Sequence, residues 1–205
     1  MTSSFSSPPE SVLDFWLGDG LALGWPSRDM GKYWFTGGPE LDEQIRQLFG
    51  TQVALALDGG LVDWEAAPLH RLALVILLDQ FPRNIFRGQA KAFAGDTRAQ
   101  QLVNEALAQG LDEHLPWVGR MFLYMPLMHA EDLALQEECV RRFARLAAAV
   151  PAELRATITS SLRFAEQHRD IIARLGRFPY RNTALGRSST AQEIEFLQNG
   201  PRFGQ

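Results

Sequence analysis

The spacing of apolar residues between Ala152 and Leu175 constrains the fold more than any other feature of this 205-residue sequence. Steps of four and three residues alternate along this segment, through Leu154, Ile158, Ser161, Ala165, His168, Ile172 and Leu175. Such steps place all seven side chains on one face of an α-helix, whereas a half-buried strand alternates at every second residue. The sequence therefore predicts one long amphipathic helix that carries a histidine on its apolar face.

Helical spacing recurs along most of the chain. Start and stop signals delimit further helical segments at 7–17, 39–57, 69–80, 97–109, 132–149 and 190–198, and Pro116 begins one more. Between residues 18 and 38, six glycines and one proline predict a loop that is anchored by aromatic side chains and contains one or two helical turns. We predict an all-α protein of eight or nine helices in a single domain over residues 1–205, with its core between 10 and 200. Because the predicted loops are mostly short, neighbouring helices should pack as antiparallel hairpins.

Two prolines and one aspartate predict where individual helices begin and end. The apolar run Leu72–Leu78 is compatible with a strand, but leucine and alanine dominate it, so we predict a buried helix. That helix should end near Gln80, because Pro82 disfavours helical geometry at the residue before it. Pro126 should kink or stop the helix in which it lies. Asp96 should cap the helix that follows it.

The composition is that of a globular protein with a core of its own, since 46% of the residues are apolar and 21% are charged. The single cysteine, Cys139, cannot form an internal disulfide and is expected to pack against its neighbours. The first ten residues have neither the basic nor the apolar part of a signal peptide, and no apolar run is long enough to span a bilayer. We therefore expect a cytoplasmic protein that does not bind a membrane.

The formal net charge of −4 hides an uneven distribution of charge. Residues 140–187 contain ten arginines and three acidic residues, whereas the rest of the chain carries a net charge of −11. Arginine forms bidentate hydrogen bonds with carboxylates and phosphates and tolerates partial burial. The crowding of arginines thus indicates an anion site, although solvated arginines and internal ion pairs explain it as well. Overall acidity, together with the lack of zinc-ligand spacing and RNA-binding motifs, argues against a nucleic-acid partner.

His168 lies on the apolar face of the predicted long helix, where its ring nitrogens need hydrogen-bond partners. Two interpretations stay open. One is a core histidine that bonds to a nearby backbone group, and the other is a general acid/base or ligand-binding imidazole. Ser161 lies two turns earlier on the same face, which is too far for a nucleophilic pair with His168.

A second group of polar residues flanks Pro126. It comprises Arg120, Tyr124, His129, Glu131, Asp132 and Gln136. The sequence has neither a His-Glu-x-x-His motif nor a third ligand at suitable spacing, so we predict no metal site. We expect Glu131 and Asp132 to cap the helix that follows, and His129 and Arg120 to complete a polar network.

A short motif occurs twice, as Asp79-Gln-Phe-Pro-Arg-Asn84 and as Arg177-Phe-Pro-Tyr-Arg-Asn182. Each copy combines Pro, Arg and Asn after the end of a predicted helix, which is typical of a chain reversal. Chance similarity between two turns is the alternative interpretation.

Together with Arg120–Pro126, His129–Asp132 and His168–Arg187, these motifs resemble the bacterial family catalogued as domain of unknown function 924. The resemblance covers residues 10–200 in the family's order. It implies an all-helical fold similar to tetratricopeptide-like superhelices, and it implies no established activity. Tyr180 stands where the resemblance leads us to expect a histidine in many relatives.

These motifs are polar, whereas a signature of packing alone would be mostly apolar, so we predict a binding pocket. We expect it to bind an anionic small molecule, a phosphate or a carboxylate, with Arg83, Arg177 and Arg181 as a clamp. The other predicted ligand-binding residues are Asn84, Arg120, Glu131, Asp132 and Asn182. If the protein is an enzyme, His168 or His129 transfers the proton. The sequence identifies neither a substrate nor a cofactor.

Two other hypotheses compete with the anion pocket. A helical interaction module would hold a protein partner in its groove, with Trp25, Trp34 and Trp117 as exposed anchors. Alternatively, the arginines and histidines form only an internal salt-bridge network that fixes helix packing. Burial of the three clamp arginines against neighbouring carboxylates would favour this last interpretation.

Overall fold

The computed structural model describes residues 7–200, apart from the side chain of Asn199. Every regular element within this range is helical, which confirms the all-α prediction. The chain divides into two compact units, the N-terminal unit (Met1–Arg87 and Lys91–Leu123) and the C-terminal unit (Gly88–Ala90 and Tyr124–Gln205). The single domain and the tetratricopeptide-like superhelix remain predictions. None of the helices between residues 7 and 200 combines the length and the hydrophobicity needed to cross a membrane.

Helices account for most of the described part of the N-terminal unit. They are α1 (Pro9–Leu17), α2 (Gly20–Leu23), α3 (Gly31–Phe35), α4 (Pro39–Leu57), α5 (Pro68–Ile85), α6 (Asp96–Ala108) and the first part of α7 (Trp117–Met128). Short 3-10 helices occur at Val62–Glu65, Ala90–Phe93 and Leu111–His114 along the same stretch of chain. The predicted helix over 39–57 is confirmed, and the loop over 18–38 contains the two short helices α2 and α3, as expected.

Helix α5 forms the centre of the N-terminal unit. Every residue from Arg71 to Pro82 is buried, because α1, α4 and α6 pack against this helix. Trp16 of α1 packs edge to face on Phe81 at a centroid distance of 5.4 Å and on Phe122 at 5.9 Å. A helix that is enclosed on all sides needs apolar residues on all sides, which explains the continuous run Leu72–Leu78. The prediction of a helix rather than a strand is confirmed here.

Helix α5 continues past the residue at which it was predicted to end. It runs through Pro82 to Ile85, so the motif Asp79–Asn84 lies within a helix and its interpretation as a turn is wrong. Pro82 has no N–H to donate to the carbonyl of Leu78. The backbone of Gly95 approaches that carbonyl instead, and a Cβ atom at Gly95 would lie 2.3 Å from the Leu78 oxygen. Burial on all sides and this close backbone approach thus accommodate the proline within the helix.

Two further helix boundaries differ from the prediction. Asp96 is the first residue of α6, whose N-cap is Gly95, and the predicted side-chain cap is not formed. The reason is that its carboxylate is bound by Arg83. Helix α7 likewise continues through Pro126 to Met128, so this proline does not stop the helix, and the predicted kink stays a prediction.

The described part of the C-terminal unit contains the end of α7, then α8 (Leu133–Ala149), α9 (Ala152–Leu175) and α10 (Ala191–Asn199), with a 3-10 helix at Pro179–Arg181. Helices α8 and α9 pack side by side and are joined by only two residues, so they form an antiparallel hairpin. The long helix over 152–175 is confirmed, and His168 is buried on its apolar face together with Ile158 and Ile172. Helix α10 begins with a capping box formed by Thr190 and Glu193, and Thr190 is the first residue of the predicted segment 190–198.

Candidate functional site

The turn between α9 and α10 is held by the carboxylate of Glu131. This carboxylate accepts a hydrogen bond from the backbone N–H of Phe178 (2.8 Å) and binds both terminal nitrogens of Arg187 (2.6 and 2.9 Å). Burial would raise the pKa of Glu131, but the hydrogen bonds from Arg187 and Phe178 and the charges of Arg187 and Arg181 outweigh burial and lower it. Glu131 therefore stays ionised and connects the start of α8 to this turn, so the prediction that it caps α8 is wrong.

Asp132 and Gln136 shape the connection between α7 and α8. Asp132 is the N-cap of α8, as predicted, and its carboxylate accepts from the backbone N–H of Leu135 at 3.0 Å. Gln136 is fully buried, and its amide group donates to the carbonyls of Met128 (2.6 Å) and Ala130 (2.8 Å). Both side chains thus satisfy backbone groups that the break between the two helices exposes.

Glu193 binds three groups at once. Its carboxylate accepts from Nε and Nη2 of Arg177 (2.6 and 3.0 Å), from the N–H of Thr190 (2.7 Å) and from the amide of Asn182 (3.3 Å). The hydrogen bond from Arg177 is the main cause that lowers the pKa of Glu193 to about 2, against the opposing effect of burial. Arg177, predicted as part of an anion clamp, therefore has an internal carboxylate as its partner.

Asn182 fixes the same turn from the inside. Its amide group donates to Oγ of Ser189 (3.0 Å), and its side-chain oxygen accepts from Nε of Arg187 (3.0 Å). The N–H of Arg187 also donates to the backbone carbonyl of Asn182 (2.8 Å). Sequence analysis missed Glu193 and Arg187 as partners in this turn. Each lies in a recognisable sequence pattern: Glu193 belongs to the capping box of α10, and Arg187 ends the arginine-rich stretch 140–187.

Five side chains of the C-terminal unit form what we call the Phe178 cluster (His129, His168, Phe178, Tyr180 and Arg181): three of them contact the ring of Phe178, and His129 lies beside His168. His168 packs edge to face on Phe178 with a centroid distance of 5.6 Å and lies 6.4 Å from the ring of His129. Tyr180 stacks on Phe178 at 5.3 Å, and the guanidinium carbon of Arg181 lies 4.6 Å from the centroid of Phe178. The structure thus brings three of the predicted site residues, both histidines and Arg181, into one cluster.

The backbone of α9 fixes the tautomer of His168. Its Nδ1 lies 2.7 Å from the carbonyl oxygen of Phe164, one turn earlier in the helix. Because a carbonyl oxygen only accepts hydrogen bonds, Nδ1 carries the proton, and the neutral ring has its lone pair on Nε2. His168 is only 6% exposed. It therefore bonds to the backbone as a core histidine does.

Two predicted site residues of the N-terminal unit, Arg83 and Asn84, bind partners within that unit. Arg83 forms a bidentate pair with Asp96 (2.8 and 2.9 Å) and lies 3.2 Å from the carboxylate of Asp79. The side-chain oxygen of Asn84 accepts from Nη2 of Arg87 at 3.0 Å. The ion pairs of Arg83, like that of Arg177, have the form expected for an internal salt-bridge network.

The tryptophans predicted as exposed anchors differ in exposure. Trp34 is 8% exposed and its indole N–H donates to the backbone carbonyl of Trp16 (2.7 Å), so its prediction as an exposed anchor is wrong. Trp25 packs edge to face on Trp34, and both Trp25 and Trp117 are partly buried. The guanidinium of Arg120 lies 4.8 Å from the ring of Trp117 and donates to two backbone carbonyls that follow α6, at 2.8 and 3.0 Å. The interaction-module hypothesis stays a prediction.

The remaining candidate groups are the thiol of Cys139 and the acidic side chains. Cys139 is buried, its thiol lies 3.7 Å from the carbonyl oxygen of Tyr124, and burial raises the pKa of the thiol. Among the residues that the structure describes, no three His, Cys, Asp or Glu side chains are placed to bind a metal ion together.

These features define an all-helical protein whose C-terminal unit contains an ion-paired turn and a pair of neighbouring histidines. The model of a family described as "Bacterial protein of unknown function (DUF924)" matches residues 12–201, and the chain belongs to this family. The resemblance inferred from the sequence motifs is thereby confirmed. A comparison with curated proteins finds no match.

The chain is also similar to a solved structure, that of ATU0120, a protein of unknown function from Agrobacterium tumefaciens. The two chains are 33% identical, and the alignment covers 94% of this chain and 97% of the other, with a TM-score of 0.78. The two proteins thus share their fold over nearly their whole length.

Proposed function

We propose that the Phe178 cluster binds a small anionic molecule that carries a phosphate or a carboxylate group. The observation that carries this proposal is that two imidazoles and one guanidinium, from three separate segments of the chain, lie in one cluster: His168 and Arg181 contact the ring of Phe178, and His129 lies beside His168. Arg181 is almost completely buried, and its guanidinium lies over the aromatic ring, which orients its N–H groups. Oriented donors of this kind bind anions with less loss of entropy than flexible surface lysines do.

The surrounding carboxylates support this choice of site over the originally predicted clamp. Arg177 and Arg83 each bind carboxylates of their own unit, so we propose that they stabilise the fold and do not contact the ligand. Glu131 and Glu193 hold the turn that carries Arg181 and Tyr180 through Arg187 and Arg177. Such supporting pairs are what a precise binding site needs behind its direct contacts.

If a reaction takes place at this site, our proposal gives the proton-transfer role to His168. With Nδ1 bonded to the carbonyl of Phe164, its Nε2 accepts a proton when the ring is neutral and donates one when the ring is charged. His129, whose ring lies 6.4 Å away, is the alternative group for the same role.

A thermal-shift screen of phosphorylated metabolites and carboxylates tests the proposal, with titration calorimetry of the anions that stabilise the protein. A bound anion favours the protonated ring of His168, whose Nε2 then donates to it. We expect the variants His168→Gln and His129→Gln to bind such an anion about 10-fold to 100-fold more weakly, since one hydrogen bond between charged groups contributes about 1.5–3 kcal/mol. His114→Gln is the matched control, because His114 is exposed in a 3-10 helix of the N-terminal unit. Equal affinity in folded His168→Gln and His129→Gln proteins, or no stabilisation by any anion, would overturn the proposal.

A further inference from the structure

A cleft of about 410 Å³ opens in the N-terminal unit, on α3 and the loop that precedes it. Its volume lies within the range that small-molecule sites occupy. Arg28, Asp29 and Lys32, all exposed, line the cleft together with Met30, Tyr33 and Leu41, which are buried or partly buried. The cleft thus combines charged groups with an apolar surface.

The two cations of this cleft differ from their neighbours in the sequence. Residues 1–87 contain six Lys and Arg side chains, and four of them pair with carboxylates: Arg46, Arg71, Arg83 and Arg87. Arg28 and Lys32 form no ion pair with any carboxylate among residues 7–200, and both line the cleft. Two cations that form no ion pair, in an otherwise acidic segment, provide the charge that an external anion needs.

The one carboxylate in the cleft has a local role. Oδ1 of Asp29 accepts from the backbone N–H of Gly31 at 2.8 Å, where α3 begins. Nε of Arg28 donates to the thioether of Met30 at 3.1 Å, and a thioether is a weak acceptor. The strong donors of the cleft are therefore the remaining N–H groups of Arg28 and the ammonium group of Lys32.

The apolar part of the cleft is fixed by the core. Met30 and Leu41 are buried, and the ring of Tyr33 packs against Phe15 and Trp16 at centroid distances of 5.9 and 5.6 Å. Burial raises the pKa of Tyr33 to about 12, although the charge of Arg28 opposes this shift, so the phenol stays neutral. A rigid apolar surface beside two cations fits a ligand that has an apolar body and one negative group.

We propose that this cleft binds a small monocarboxylate with an aryl or alkyl body. Its carboxylate contacts Arg28 and Lys32, and its apolar body lies against Met30, Tyr33 and Leu41. A predicted ligand-binding residue, Asn84, adjoins the cleft, because its side-chain oxygen would lie 3.5 Å from a Cβ atom at the lining residue Gly37. The site belongs to a different unit from the Phe178 cluster, so either proposal can fail without the other.

Methionine-methyl NMR provides a direct test with phenylacetate as the probe. The chain has five methionines, and Met30 is the one that lines the cleft, so its methyl resonance should shift and saturate while Met121, Met125 and Met128 serve as internal references. Two control ligands each lack one feature of phenylacetate: 2-phenylethanol has no negative charge, and inorganic phosphate has no apolar body. We expect both to bind about tenfold more weakly than phenylacetate, or worse.

The double variant Arg28→Gln/Lys32→Gln should bind phenylacetate at least about fivefold more weakly. Both side chains are exposed, so the variant is expected to fold normally. Lys91→Gln is the matched control, because it removes an exposed cation whose ammonium group lies 4.6 Å from the ring of Phe86. No saturable shift at Met30, unchanged affinity in the double variant, or equal affinity for the alcohol or for phosphate would each overturn the proposal.

Discussion

The contact between Gly95 and the carbonyl of Leu78 predicts that Gly95→Ala destabilises the protein. Gly95 is the N-cap of α6 and has an ordinary φ of −87°, so alanine fits the backbone conformation without strain. The conflict comes from space alone. The new methyl carbon would lie 2.3 Å from the oxygen of Leu78 and 2.9 Å from its carbonyl carbon, and both atoms belong to the buried stretch Arg71–Pro82 of α5.

The size of the effect follows from this distance. Since Cβ atoms do not approach closer than 3.0 Å, α6 and α5 have to separate locally by about 0.7 Å. Overpacking of a buried site by one methyl group costs about 1–3 kcal/mol, and a rigid backbone neighbour places this site in the upper half of that range. For a chain of this length, a loss of about 2–3 kcal/mol lowers the Tm by about 4–12 °C.

Gly50→Ala is the matched control, because it makes the same chemical change in the interior of α4. A Cβ atom there would meet only the side chain of Arg46, at an ordinary distance of 3.9 Å. Alanine should therefore stabilise the helix by about 0.5–1 kcal/mol. Both variants are compared with the wild type by thermal and urea denaturation, followed by far-UV circular dichroism. A free energy of unfolding for Gly95→Ala that equals the wild-type value within about 0.5 kcal/mol would refute the packing argument.

Three further predictions concern the C-terminal unit. Because the pKa of Glu193 is lowered to about 2, its ionised form stabilises the fold above the ordinary value of 4.5, and this contribution is lost as the pH falls from 4.5 towards 2. The Tm of Glu193→Gln should therefore change less over this pH range than the wild-type Tm does, and parallel pH profiles would contradict the assignment. Asp132→Ala removes the N-cap of α8 and should lower the free energy of unfolding by about 1 kcal/mol, whereas Asp132→Asn should retain most of it. Burial raises the pKa of the Cys139 thiol, so an aromatic disulfide reagent should label it only in denaturant, and rapid labelling of the native protein would show that the site opens.

Periodicity and capping residues predicted most of the helices, because these signals act over a few residues. The segments 39–57 and 152–175 have the bounds that their apolar spacing indicates. The predicted end of α5 is wrong because interactions with residues distant in the sequence determine it. The local preference against helix before Pro82 was outweighed by burial and by the backbone of Gly95, which approaches from thirteen residues further along the chain.

The site shows the same difference between local and distant interactions. The capping role of Asp132 was predicted, since its partner lies three residues away. The pairing of Glu131 with Arg187 spans 56 residues, and one sequence contains no signal of such pairing. For the segment that forms the cleft beside α3, the sequence predicts only an aromatic-anchored loop. Arg28 and Lys32 stand out in the structure because the other four basic residues of 1–87 have carboxylate partners.

The two-residue connection between α8 and α9 has a consequence for the order of folding. The entropy lost on closing a chain segment grows with its length, and this connection is short. Two long amphipathic helices that meet across it make many contacts between residues close in sequence, and such local topologies form fastest. We therefore expect the α8–α9 hairpin to be formed in the folding transition state, before Glu131 and Glu193 fasten the turn that follows it.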